Sequence, residues 1–176
     1  MNISTYQMEF NGEVLQRGFW LYVWKITHNN ELYIYVGRTG DSSSANASSP
    51  FNRIGEHLNF KPNAKGNSLA KRLKEVDINP LESKFSMLAL GPIFPEQSTF
   101  EEHKPFRDLM ATFEFEVAAY LKENNYSVLG VHHKKSQVDV GMLSDIEKKV
   151  MEFLTNGSRY NYAINPIRFT HWTHTR

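Results

Sequence analysis

Trp20–Ile26, WLYVWKI, and Leu32–Gly37, LYIYVG, are two aromatic and β-branched runs separated by His28, Asn29 and Asn30. Such runs fit a pleated, half-buried surface, and paired asparagines tolerate the left-handed backbone of a tight turn, so this stretch predicts a β-hairpin. Beyond it, Ser42–Pro50, SSSANASSP, has no apolar residue able to anchor an element and reads as a loop. Phe51, Ile54 and Leu58 then recur at helical spacing, and Leu69, Leu73 and Val76 do the same before Asn79-Pro80 stops the run. Two short helices are expected after the hairpin.

Lys84–Leu90, KFSMLAL, partly alternates and meets Gly91-Pro92, which predicts a third strand ending there. Past Pro105, the residues Phe106, Met110, Phe113, Val117 and Leu121 form one apolar stripe, the mark of a long helix that ends near Asn124 or Asn125. Ser144 and Glu147 make a capping box ahead of Ile146, Val150, Phe153 and Leu154, with Asn156-Gly157 as the stop. The remaining tail is aromatic and carries Arg159, Arg168 and Arg176 without an acidic residue. It is suited to covering the core or touching a phosphate backbone.

At 176 residues and 40% hydrophobic content, the chain can bury one substantial core and is short for two, so residues 1–176 are read as a single domain of the mixed α/β (α+β) class. Twenty Lys and Arg against 19 Asp and Glu give a net charge of +1, so any attraction for nucleic acid has to come from local placement of charge. The absence of cysteine removes disulfides, thiolate metal sites and cysteine nucleophiles together, and an intracellular, cytoplasmic setting is the expectation. The start MNISTYQMEFNGE lacks the basic and apolar regions of a signal peptide, and no stretch has the length of a membrane span. No membrane partner is expected.

Hydrolysis of a phosphodiester needs an oriented water, cations aimed at the phosphoryl oxygens and, in most cases, a carboxylate that holds a metal ion. Tyr22 and Tyr35 lie on the two hairpin strands, and Arg53 and His57 stand at i, i+4 on one helix face. Glu114 interrupts the apolar stripe of the long helix between Phe113 and Phe115. A carboxylate there is either paired or metal-bound inside the core, or borders the core and reaches solvent. Taken singly, the tyrosines are most often ordinary strand aromatics, Arg53 a solvated helix cation and His57 a surface or satisfied histidine. His132, His133, Lys134 and Lys135 read as a solvated loop, or as part of a backbone-binding rim.

In order along the chain, LYVWKI, then YVGRTG with its tyrosine 13 positions on from Tyr22, then FNRIGEHL, resemble the GIY-YIG nuclease family. Paired tyrosine motifs on a hairpin there precede a helix bearing an arginine. The resemblance makes Tyr22 the tyrosine of the first motif, with Trp20 replacing its glycine, and Tyr35-Val36-Gly37 the second motif. It makes Arg53 the helix arginine, and His57 the histidine one turn later in the homing and restriction branches. Arg38 stands where repair-type members carry a lysine, which implies a phosphate contact.

Glu114, with Val117 and Ala118 following, matches the metal-binding glutamate, with Glu116 as the rival two positions on. An asparagine after that helix would correspond to Asn124 or Asn125. The likeness spans roughly residues 20–125, leaving 126–176 as a C-terminal extension, and the segment between Gly37 and Arg53 is longer than in compact members. It implies a small central three-stranded antiparallel sheet flanked by helices, with one extra C-terminal helix.

The activity implied is a metal-dependent endonuclease acting on DNA, with RNA left open by the same residues. Glu114 would hold one divalent ion, Mg²⁺ or Mn²⁺ in its stead, and Arg38 and Arg53 would contact the nucleic acid. One tyrosine, with His57 as relay, would position or deprotonate the water. Because an ordinary tyrosine has a pKa of about 10, deprotonation calls for a lowered value. The alternative is a catalytically inactive nucleic-acid-binding module on the same fold. A homodimer is one way to cut both strands, and no residue pattern demands it.

Overall fold

The computed structural model describes residues 3–156. Strand β1 (Phe19–His28) turns through Asn29 and Asn30, both in the left-handed region at φ of 49° and 64°, into β2 (Glu31–Arg38). Helices α1 (Pro50–His57) and α2 (Ser68–Glu75) follow, then β3 (Lys84–Phe94), α3 (Phe100–Glu123), β4 (Ser127–Leu129) and α4 (Val140–Thr155).

The sheet has four strands in the order β3-β1-β2-β4 and is mixed, which corrects the expected three-stranded antiparallel sheet. β1 pairs antiparallel with β2 and β3, whereas β4 adds parallel to β2 through Tyr33↔Ser127, Ile34↔Val128 and Tyr35↔Leu129. With three residues, β4 is too short for alternation to show. β1, flanked on both sides, is buried from Phe19 to Trp24.

The two faces of the hairpin sort its side chains. Leu21, Val23, Ile34 and Val36 pack with Met110, Phe113, Val117 and Leu121 of α3 and Ile146, Val150 and Leu154 of α4. Tyr22, Trp24, Ile26 and Tyr35 project the other way, onto Leu69 and Leu73 of α2. Helices thus cover both faces, and β4 and α4, beyond residue 125, belong to the same sheet and core. No helix among the described residues is long and apolar enough to cross a membrane.

Three boundaries differ from expectation. α3 starts before Pro105, at Phe100, because Thr99 and Glu102 form a reciprocal capping box that nucleates the helix, and the proline forgoes only one intrahelical N–H. α4 is capped by Asp139, whose Oδ1 accepts from Met142 N at 2.8 Å, so Ser144 and Glu147 lie inside the helix. β3 continues past Gly91-Pro92 to Phe94, which an edge strand permits because proline there leaves no partner unbonded. Gly157 and the arginines at 159, 168 and 176 lie outside the described residues.

Candidate active site

Register explains why the second tyrosine motif ends in glycine. Tyr22 on β1 stands directly opposite Gly37 on β2, and a Cβ at Gly37 would lie 2.4 Å from the Tyr22 ring. Glycine lets the ring lie across the neighbouring strand. Its hydroxyl then donates to the Arg38 carbonyl at 3.0 Å and meets His57 Nε2 at 2.5 Å.

Helix α1 brings His57 there. Ser49 caps it by accepting from Asn52 N at 3.3 Å, and Pro50 starts its first turn. His57, only 1% exposed, sits edge-on to the rings of Tyr22 and Tyr35 at centroid distances of 5.4 and 5.5 Å. Burial, reinforced by the Arg53 cation, pushes its pKa down to about 4, so it is neutral at pH 7. A carbonyl can only accept, so the Tyr22 proton goes to Arg38 and His57 Nε2–H donates to the phenol oxygen. That arrangement leaves only the Nδ1 lone pair of His57 without a partner.

Arg53 is 13% exposed and reaches Asp41 Oδ2 at 3.1 Å and Glu56 Oε2 at 2.6 Å. Burial alone would lower its pKa, but Tyr22, Asp41 and Glu56 outweigh that and raise it. It is a permanent cation. Its buried Nε has no partner.

Glu114 reaches the site from α3 and pairs with Arg38 Nη1, with side-chain exposures of 14% and 19%. Burial raises its carboxyl to about 7 although Arg38 and Arg53 pull it down. The rival Glu116 instead bonds Lys134 Nζ at 2.7 Å. Neither candidate asparagine lines the cavity: Asn124 caps α3 and donates to Tyr120 O at 2.8 Å, and Asn125 is a turn residue at φ 65°.

Tyr22, Tyr35, Arg38, Arg53 and Glu114 line one cavity of about 240 Å³, and His57 stands behind Tyr22. β2 ends beside it at Arg38 and β4 at Leu129. Asp41, Ser68, Arg72, His132, His133 and Lys135 line it as well. Sequence reading missed the first three. Asp41 follows Gly40 in a stretch with no period, whereas Ser68 and Arg72 offered a signal in their i, i+4 spacing. His132 is not a solvated loop residue: it bonds Val36 O through Nε2 at 3.2 Å, and burial lowers its pKa.

The tyrosines depart from what a base requires. Burial raises Tyr22 well above its ordinary value despite Arg53, and burial with the Glu114 charge pushes Tyr35 to about 12. Both are neutral phenols at pH 7. Among the described residues no three His, Asp or Glu side chains converge as a metal-ligand group. A single half-buried carboxylate with its pKa at about 7 still suits one hard cation whose remaining ligands are water and substrate oxygens.

No protein-family model, curated protein or solved structure matches this chain, so its function has to come from the chemistry of the cavity.

Proposed function

We propose that the chain is a nuclease of the GIY-YIG type, which hydrolyses phosphodiester bonds in DNA with a divalent metal ion. One observation carries the reading. Five residues picked for their order along the chain, from Tyr22 to Glu114, line one cavity although they belong to β1, β2, α1 and α3, and the sixth, His57, hydrogen-bonds Tyr22. A solvated arginine, strand tyrosines and a border glutamate have no reason to converge.

In this reading the scissile phosphate enters beside Arg53, whose free Nε and planar fork bind its non-bridging oxygens and stabilise the charge that grows on them. Arg38 moves from Glu114 to a second phosphoryl oxygen. Glu114 would hold the Mg²⁺ or Mn²⁺, which supplies charge for the developing oxyanion and lowers the pKa of water beside it. Tyr35, kept protonated, donates a hydrogen bond that orients the attacking water. Tyr22 is held by His57 and the Arg38 carbonyl, and fixes the end of β2 where Arg38 departs.

The rival is a nucleic-acid-binding module without cleavage. Arg38 engaging the proposed metal ligand, and the lack of a three-ligand group among the described residues, favour it. Supercoiled plasmid with Mg²⁺ or Mn²⁺ separates the two. Nicking by the wild type that is lost in Glu114→Ala and Arg53→Ala supports the nuclease. Binding with no cleavage of plasmid, single-stranded DNA or RNA supports the module.

A further inference from the structure

The loop from Gly130 to Asp139, between β4 and α4, is fastened at three points. Gly130, at φ +94°, lies so close to α2 that a Cβ there would come within 3.3 Å of Arg72 Nε. His132 donates to Val36 O at 3.2 Å. Thr112, fully buried on α3 two residues before Glu114, accepts through Oγ1 from both Lys135 N at 3.1 Å and Ser136 N at 2.8 Å. A mere connector between a strand and a helix has no need of a buried hydroxyl bonded to two successive amides. The fastening fixes the backbone of Lys135, which stands with Arg72 of α2 on the wall of the cavity that also holds Glu114 and Arg53.

Charge on this wall is less committed than elsewhere in the cavity. Arg38 is paired with half-buried Glu114, and Arg53 with Asp41 and Glu56. Lys135 forms no ion pair among the described residues. Among the described residues Arg72 forms an ion pair only with Glu75, an i, i+3 pair whose carboxylate is 58% exposed and which solvent screens.

We infer that Arg72 and Lys135 form a second phosphate subsite, which holds the backbone phosphate next to the scissile one, with Thr112 as the residue that positions it. The inference rests on the nuclease reading and adds to it a second anchoring point. A nucleic acid so held is gripped at two successive phosphates, which sets the strand direction through the cavity and fixes which bond meets Glu114. Because neither side chain reads a base edge, the subsite adds affinity and alignment without sequence preference.

The test is anisotropy of a labelled 20-base-pair duplex titrated with the Glu114→Gln protein over a series of salt concentrations. Each phosphate contact contributes about 0.9 to the slope of log affinity against log salt. Arg72→Ala combined with Lys135→Ala should flatten the slope by about one unit, and Lys148→Ala combined with Lys149→Ala, on exposed α4 positions, should leave it unchanged. Thr112→Val should flatten the slope as Lys135→Ala alone does and Thr112→Ser should recover the parent slope, with circular dichroism showing each variant folded.

A steep parent slope that the wall variants leave intact overturns the subsite while sparing the nuclease reading. A parent with no salt-dependent affinity overturns both. A mononucleotide that competes at the duplex's own affinity would assign the wall to a small phosphate ligand and overturn the backbone assignment.

Discussion

Glu114→Gln should make the protein more stable at alkaline pH while abolishing cleavage. The carboxyl's pKa rises from 4.5 to about 7 on folding, chiefly through burial, and its side chain is 14% exposed. A carboxyl whose folded pKa is raised costs nothing below its unfolded value, and its penalty is complete once pH passes the folded value. At about 1.36 kcal/mol per unit, the shift amounts to about 3 kcal/mol, absent at acid pH and fully present by pH 8.

Glutamine has no charge to desolvate and its amide oxygen can still accept from Arg38. The stability of the variant minus that of wild type should therefore grow by about 3 kcal/mol between pH 4.5 and pH 8. Urea unfolding followed by the fluorescence of Trp20 and Trp24, both in the core, measures it. Every other titrating group is common to the two proteins and cancels in the difference. If the two pH profiles run parallel, the carboxyl does not sit in the environment described. A carboxylate retained at that cost to stability, on an apolar helix where glutamine would do better, points to a charge kept for use.

Four further outcomes follow from the same geometry. Mg²⁺ at a hundredfold excess over its dissociation constant should stabilise wild type by about 2.7 kcal/mol at pH 8, seen as a raised thermal midpoint that EDTA reverses, and should not stabilise Glu114→Gln; equal shifts in both proteins would remove Glu114 as the ligand. His57, lowered from 6.5 to about 4, contributes stability that is full above pH 6.5 and lost as pH falls through 4, so His57→Gln should lose about 3 kcal/mol less than wild type between pH 7 and pH 4 in urea titrations. Tyr22→Phe leaves the Arg38 carbonyl and His57 Nε2–H without their partner and should cost about 1–3 kcal/mol in urea unfolding; no loss would mean the phenol bonds are not made. Arg53→Lys keeps the charge and loses the fork, and plasmid nicking should slow by roughly 10²-fold with the fold intact by circular dichroism.

What the sequence disclosed depended on how local each signal is. The hairpin was legible because strand chemistry and turn chemistry agree over twenty residues, and Asn29 and Asn30 take up the positive φ their side chains tolerate. The tyrosines were legible as a pair because strand register carries Tyr22 and Tyr35 to one face, and Arg53 with His57 because helical spacing does the same. The two capping errors were errors of competition. Ser144 and Glu147 match the pattern, but the backbone turns helical earlier, at Asp139, and Thr99 nucleates α3 ahead of a proline that looked like its boundary.

The Arg38–Glu114 pair belongs to another class. Its members are 76 positions apart, and with 20 cations and 19 acids in the chain no local pattern selects one pairing. The same holds for Thr112 and the two amides it accepts, which meet only once α3 has packed against the sheet. The residues proposed to do chemistry were therefore picked out by local motifs taken in order along the chain, and the contacts proposed to aim them were not. Near-neutral net charge gave no electrostatic case for a nucleic-acid partner and left any such case to local placement of charge. Inside the fold, Arg38 and Arg53 are matched with Glu114 and Asp41 of the cavity, whereas the Arg72 and Lys135 wall is largely unmatched.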